Sequence, residues 1–142
     1  MNDVSVVALF CDDIRQETSG TTTIVGVFPD NLNMPIIPGG LLKLGVYIRL
    51  HLRPDFSPVP IYTWIELADG REVNRDEVDP KLVRDTLEKA RTRDAPYAGL
   101  IAAFVVGNFA VKEPGRLKAM VQIGEQKIVA GALNVKLAPK AT

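Results

Sequence analysis

The chain has 142 residues, of which 46% are hydrophobic and 24% charged, with 17 basic and 17 acidic side chains. These figures exclude a collagenous, disulfide-scaffold or wholly disordered chain. Zero formal charge excludes a domain that holds nucleic acid by charge alone, and the length suits one domain over residues 1–142.

Valine, isoleucine and threonine together supply 16, 10 and 8 residues. Such β-branched side chains are stiff at χ1 and fit a pleated, half-buried surface. In chain order, the first strand signal is Val4 to Cys11. Val4, Val6, Ala8 and Phe10 share one face, and Val7, Leu9 and Cys11 share the other. A strand apolar on both faces is expected between two layers or against a partner. The polar stretch from Arg15 ends in Ser19-Gly20, a turn signal. Thr21 to Phe28 reads as a second strand paired with the first, and Pro29 to Gly40 as a long connection.

Leu42, Leu44, Val46, Ile48, Leu50 and Leu52 recur at spacing two, which predicts a strand with that row buried. Three prolines between Arg53 and Pro60 predict a loop. Ile61 to Leu67 alternates again, and Asp69-Gly70 predicts a hairpin turn into a return strand. One helix is expected over 80–93, with Asp79 as N-cap, Pro80 at the first position and a stripe of Val83, Leu87 and Ala90. Ala98 to Val111 reads as a central strand, apolar on both faces. Leu117 to Ile123 alternates, Gly124-Glu125 turns, and Val129, Gly131, Leu133, Val135 and Leu137 are expected as the last strand's inner face. Seven or eight short strands with one crossover helix predict an all-β, mainly antiparallel β-sandwich, Ig-like or C2-like. A partly open barrel is the alternative.

Chemistry-bearing residues are few. Cys11 is the only cysteine, so no internal disulfide forms, which fits a reducing compartment. Met1 to Val4 has neither the basic region nor the cleavage site of a secretory signal, so the protein is not expected to be secreted that way. The longest uncharged run, Ala95 to Val111, is too short for a membrane span. Asp12, Asp13 and Glu17 are the only acidic cluster. They are candidates for a calcium or small-ligand site converging with Asp30, against a charge ladder through Arg15 that pairs with a neighbouring strand. Asp12 could instead cap the Ser19-Gly20 turn. The two carboxylates should suppress the Cys11 thiolate, and with His51 as the only histidine a zinc site is not expected. No cofactor motif occurs.

Tyr47, Arg49, Tyr62 and Trp64 lie on the non-leucine faces of consecutive strands. If those strands pair, they form an aromatic–arginine interaction surface, a composition favoured at binding hot spots. The competing reading has the helix cover them. Charge is uneven along the chain: residues 1–40 carry one basic and five acidic side chains, and residues 112–142 carry six basic and two acidic. The first and last strands are therefore expected as neighbours in one sheet, or the subunit associates head to tail.

Leu9-Phe10-Cys11-Asp12-Asp13-Ile14-Arg15-Gln16-Glu17, then Gly20 and Val25-Gly26-Val27-Phe28-Pro29-Asp30, resemble the opening of a family of small uncharacterised bacterial proteins. The resemblance is firm over residues 9–30 and weaker across 41–70. It implies a single β-sandwich domain, with some relatives encoded beside phage or mobile elements, and brings no activity and no site residues. The expected function is a non-enzymatic structural or accessory subunit that contacts protein, itself or another subunit, and neither nucleic acid nor membrane. A phage-particle component is one version, with a location in the cytoplasm or the virion.

Overall fold

The computed structural model describes residues 4–140. Its strands are β1 (Val4–Gln16), β2 (Thr22–Val27), β3 (Asn31–Met34), β4 (Gly39–Leu52), β5 (Ile61–Glu66), β6 (Glu72–Glu77), β7 (Ala98–Val111), β8 (Gly115–Ile123) and β9 (Gln126–Leu137). The one helix, α1 (Pro80–Thr92), lies between β6 and β7. The strands form a β-sandwich of two sheets, ordered β2-β1-β4-β7 and β3-β9-β8-β5-β6. The nine strands exceed the expected seven or eight by β3, which lies inside the connection from Pro29 to Gly40 and pairs parallel with β9.

β4 organises the first sheet. It pairs antiparallel with β1 on one side and with β7 along its length on the other. Leu44, Val46, Ile48, Leu50 and Leu52 are completely buried and face the second sheet. Leu42 breaks the expected row and is 80% exposed. The register explains this. Leu41 opposite Phe109 and Leu44 opposite Val106 both face inward, three positions apart on each strand. Between them Asn108 adopts a left-handed φ of 51°. Both strands thus turn over together, so pairing is kept while the faces exchange.

β9 departs from its expected inner row for a related reason. Ala119 pairs with Gly131, but Met120 pairs with Val129, leaving Ala130 as an extra residue on β9. This bulge reverses the parity. Leu133 and Val135 are buried and Val129 beyond the bulge is exposed, while Leu137, of the same parity as Val135, is exposed at the end of the strand. The bulge also brings β9 close across the core, where a Cβ on Gly131 would lie 2.7 Å from the Ala8 carbonyl oxygen. β1 and β9 are therefore stacked in opposite sheets, not neighbours in one, and the uneven charge does not reflect edge-to-edge pairing of the terminal strands.

The helix forms as its capping residues dictate. The Asp79 carboxylate accepts the Lys81 N–H at 3.0 Å, and Pro80 needs no N–H partner at the first turn. At the other end Asp94 takes a φ of 52°, the Ala95 N–H donates to the Ala90 carbonyl at 2.9 Å, and the Asp94 N–H donates to that of Arg91. This is a Schellman ending. Val83, Leu87 and Ala90 join the same core as β4. The helix closes the side of the sandwich between β6 and β7, and does not cover an outer sheet face. Among the described residues no helix is long and apolar enough to cross a membrane.

The turnover makes a direct prediction. Leu44→Ala should cost roughly 2–5 kcal/mol of stability in urea unfolding, and Leu42→Ala should change it by less than about 0.5 kcal/mol. Equal losses would mean that Leu42 is a core residue.

Candidate functional site

The aromatic–arginine surface does not assemble. β4 and β5 are consecutive in sequence but belong to different sheets, because the proline-rich segment 53–60 carries the chain across the sandwich. Tyr47 and Arg49 sit on the outer face of the four-stranded sheet, and Tyr62 and Trp64 on the outer face of the five-stranded one. Trp64 is only 2% exposed. Its cover is Arg75, whose guanidinium stacks 4.3 Å from the Trp64 ring and 4.8 Å from that of Tyr62. Lys127 approaches the indole from a second side at 5.9 Å.

Arg75 is aimed by a bulge. Thr63 pairs with Asp76 and Ile65 with Val73, so Asn74 and Arg75 together oppose Trp64. Asn74 absorbs the extra residue with a left-handed φ of 59°. The guanidinium is then held by Glu72 at 2.7 Å and by the Gln122 side-chain oxygen at 3.1 Å. Sequence reading missed Arg75; the signal available was an asparagine inside a short charged strand.

The acidic residues also separate. The Asp13 carboxylate accepts its neighbour Ile14's N–H at 2.9 Å and meets the Lys43 ammonium of β4 at 3.4 Å. The Ile14 N–H first, and Lys43 and Arg15 after it, hold the Asp13 carboxyl below its ordinary range. Glu17 accepts the Thr23 hydroxyl at 2.9 Å. Asp12 lies against Gly26, whose missing side chain and φ of 65° admit the carboxylate. It does not cap the Ser19-Gly20 turn, where the Gly20 N–H donates to the Glu17 carbonyl. Among the described residues no three His, Cys, Asp or Glu side chains gather closely enough to hold a metal ion. Asp13 and Glu17 thus meet separate partners on the two neighbouring strands, Lys43 of β4 and Thr23 of β2, and do not converge.

Cys11 is buried, with Gly45 opposite leaving room for its sulfur. Burial chiefly, then the Asp12 and Asp13 carboxylates, push its thiol above the ordinary value. His51 is six positions along β4 from Gly45, roughly 20 Å away in extended chain, so no Cys–His pair forms. Instead the Arg49 side chain donates to His51 Nε2 at 3.0 Å, and the imidazole rests 6.2 Å from the Tyr97 ring.

What the outer face of the four-stranded sheet does assemble is an apolar surface. Register sets Val27, Cys11, Gly45 and Val105 in one cross-strand row, Leu9, Tyr47 and Ala103 in the next, and Val7, Arg49 and Ile101 in a third. Val7, Leu9, Val27, Ile101 and Val105 are between 38% and 54% exposed. Among the described residues no element packs over them. The second apolar face of β1 was legible in sequence; the contribution of β7 to the same surface was not.

The sequence profile of a family of unknown function (DUF6941) matches residues 6–136. No curated protein matches the chain.

Three outcomes follow from this geometry. Arg75→Ala should uncover Trp64, shift its fluorescence emission to the red and cost about 0.5–2 kcal/mol; unchanged emission would mean that Arg75 is not its cover. Millimolar calcium should leave the thermal midpoint unchanged, and a rise would restore the acidic site. The ionised Asp13 contributes stability that is present above the unfolded carboxylate range and is lost as pH falls through its lowered folded value. Lys43→Met should raise the Asp13 midpoint in a carboxyl NMR titration, whereas an unmoved midpoint would leave Lys43 without influence.

Proposed function

The chain belongs to this family of unknown function, and we propose that it is a non-enzymatic structural or accessory subunit, joined to a second copy of itself through the outer face of the four-stranded sheet. The observation that carries the reading is the exposed apolar surface of Val7, Leu9, Val27, Ile101 and Val105. Contiguous apolar area on soluble monomers is usually limited to a few hundred Å² and larger patches mark contact sites. Removing such area from water contributes about 25 cal/mol per Å².

Charge favours a second copy as occupant. The central rows contain one basic side chain, Arg49, and the protein's 17 basic and 17 acidic groups cancel. Two copies therefore approach without net repulsion. A two-fold axis through the face would bury the same rows on both sides. Incorporation into a phage particle is the concrete form of this reading that the resemblance over residues 9–30 favours, with a location in the cytoplasm or the virion.

Light scattering behind size exclusion tests it. The wild type should run as a dimer at low and high salt, because apolar burial is not screened by ions. Val7→Lys, at a 54% exposed position, should give a folded 15.5 kDa monomer. A wild-type monomer at high protein concentration, or an unaffected Val7→Lys dimer, would overturn the proposal. A dimer that dissociates in salt would point to head-to-tail contact between the charged ends.

A further inference from the structure

β7 is an edge strand, where the sequence predicted a central one. β4 pairs with one of its sides, and among the described residues no strand pairs with the other. Natural proteins protect sheet edges with short strands, charge, proline, bulges or a covering element. The other three edges follow that rule. β3 has only four residues. β6 carries Glu72, Arg75, Asp76 and Glu77 and is bulged at Asn74. β2 is bent at Gly26, where φ is 65°. β7 has 14 residues without one charged side chain or proline. Its irregularity at Asn108 lies near the far end and leaves Ala98 to Gly107 regular.

The helix leaves this edge open. A cleft of about 230 Å³ lies between Ile101, Ala102, Ala103 and Phe104 on one side and Asp76 of β6 and Leu82 of the helix on the other. Four consecutive residues line it, so it opens on the backbone edge of β7. Asp76 is turned back on its own strand, where its carboxylate accepts the Glu77 N–H at 2.9 Å. The inward residues Ala102, Phe104 and Val106 are only half-buried, and outward Ile101 and Val105 are 44% and 38% exposed. Apolar packing is therefore incomplete on both faces of the strand.

The strand is complementary to itself. A second β7 laid antiparallel, with Ala103 opposite Ala103, sets Ala102 against Phe104, Ile101 against Val105, Leu100 against Val106 and Gly99 against Gly107. Ala102 is small where the Phe104 ring is large. Ile101 and Val105 are both β-branched and match as a cross-strand pair. The glycines fall at the two ends, with the left-handed Asn108 just outside them. No charged side chain enters the row. We infer that two copies of the chain pair β7 with β7 about a two-fold axis at Ala103, joining their four-stranded sheets into one continuous sheet. The contact runs along about 30 Å of strand. It presents the same surface from both copies, so it closes at two. It needs nothing from the face-to-face contact proposed above. Its axis is perpendicular to the sheet and that of the face contact lies parallel to it, so the two together close a tetramer. The edge meets its mate along one strand where the face offers three, so the edge pair is the weaker contact and forms second as protein concentration rises.

Cysteine pairing in the Val7→Lys background tests this, because that variant lacks the face contact. Residues directly opposed in antiparallel strands bring their Cα atoms to about 4.5–5.5 Å, within disulfide reach. Under mild oxidation Ala103→Cys should link to itself. Ile101→Cys and Val105→Cys should each stay unlinked alone, because the axis sets each about 14 Å from its own counterpart, and should link when the two variants are mixed. Val7→Lys alone, with Cys11 buried, should give no link. In sedimentation equilibrium Val7→Lys should pass from monomer to dimer as its concentration rises to about 1 mM, and the wild type from dimer to tetramer. An unlinked Ala103→Cys, equal linking at all three positions, or a Val7→Lys protein still monomeric at about 1 mM would each overturn the inference. The linking pattern is read without the face contact, so failure of the face-to-face dimer and failure of the edge pair are separate results.

Discussion

The structure depends on the burial of one side of β4. Leu44, Val46, Ile48, Leu50 and Leu52 are fully excluded from water. At about 1.5–3 kcal/mol for each such side chain, the row contributes on the order of 10 kcal/mol as an upper estimate. That is comparable with the whole net stability of an ordinary domain. Everything else is arranged to cover it: β1 and β7 flank it by hydrogen bonding, the five-stranded sheet lies over it, and Val83, Leu87 and Ala90 of the helix close the side. Period-two geometry then forces the alternate residues of β4 and its neighbours outward. The exposed face is the unavoidable counterpart of the buried one.

The two outer faces are treated differently. On the five-stranded sheet the large aromatic Trp64 is sealed by Arg75, Lys127 and the neighbouring Met120. The arginine is fixed by a carboxylate and an amide, so the aromatic part of this surface is sealed within the chain, while Val129 and Leu137 near the ends of β9 stay exposed. On the four-stranded sheet three strands contribute valine, leucine and isoleucine with no comparable cover. A chain that can seal one apolar surface with a stacked cation and leaves the other bare has a surface suited to contact. Beyond the same bulge β6 alternates regularly, with Asp76 opposite Thr63 and Glu77 opposite Tyr62.

Features set by local chemistry were legible in the sequence. The strand from Leu44 to Leu52, the turns at Asp69-Gly70 and Gly124-Glu125, the pairing of β1 with β2, and the helix from its Asp79 cap were all readable from spacing and residue type. Features set by a backbone irregularity at one residue were not. The turnover at Asn108 exposes Leu42, the bulge at Ala130 exposes Val129, and the bulge at Asn74 places Arg75 over Trp64; hydropathy carries none of these. Sheet membership was equally hidden. The proline loop after β4 is compatible with a return hairpin or a crossing to the other sheet, and only the crossing occurs, which is why Tyr47 and Trp64 never meet. β3 escaped notice because its four residues, Asn31 to Met34, are too few for a periodic signal.

The central claim is that the outer face of the four-stranded sheet is covered in solution. Methyl NMR with a soluble paramagnetic probe measures this most directly, comparing Val7, Leu9, Ile101 and Val105 with Val129 and Leu137, which are also exposed but belong to the five-stranded sheet. The account predicts weaker broadening by the probe for the first group as protein concentration rises, with the second group unchanged. Equal broadening of the two groups at every concentration would contradict it.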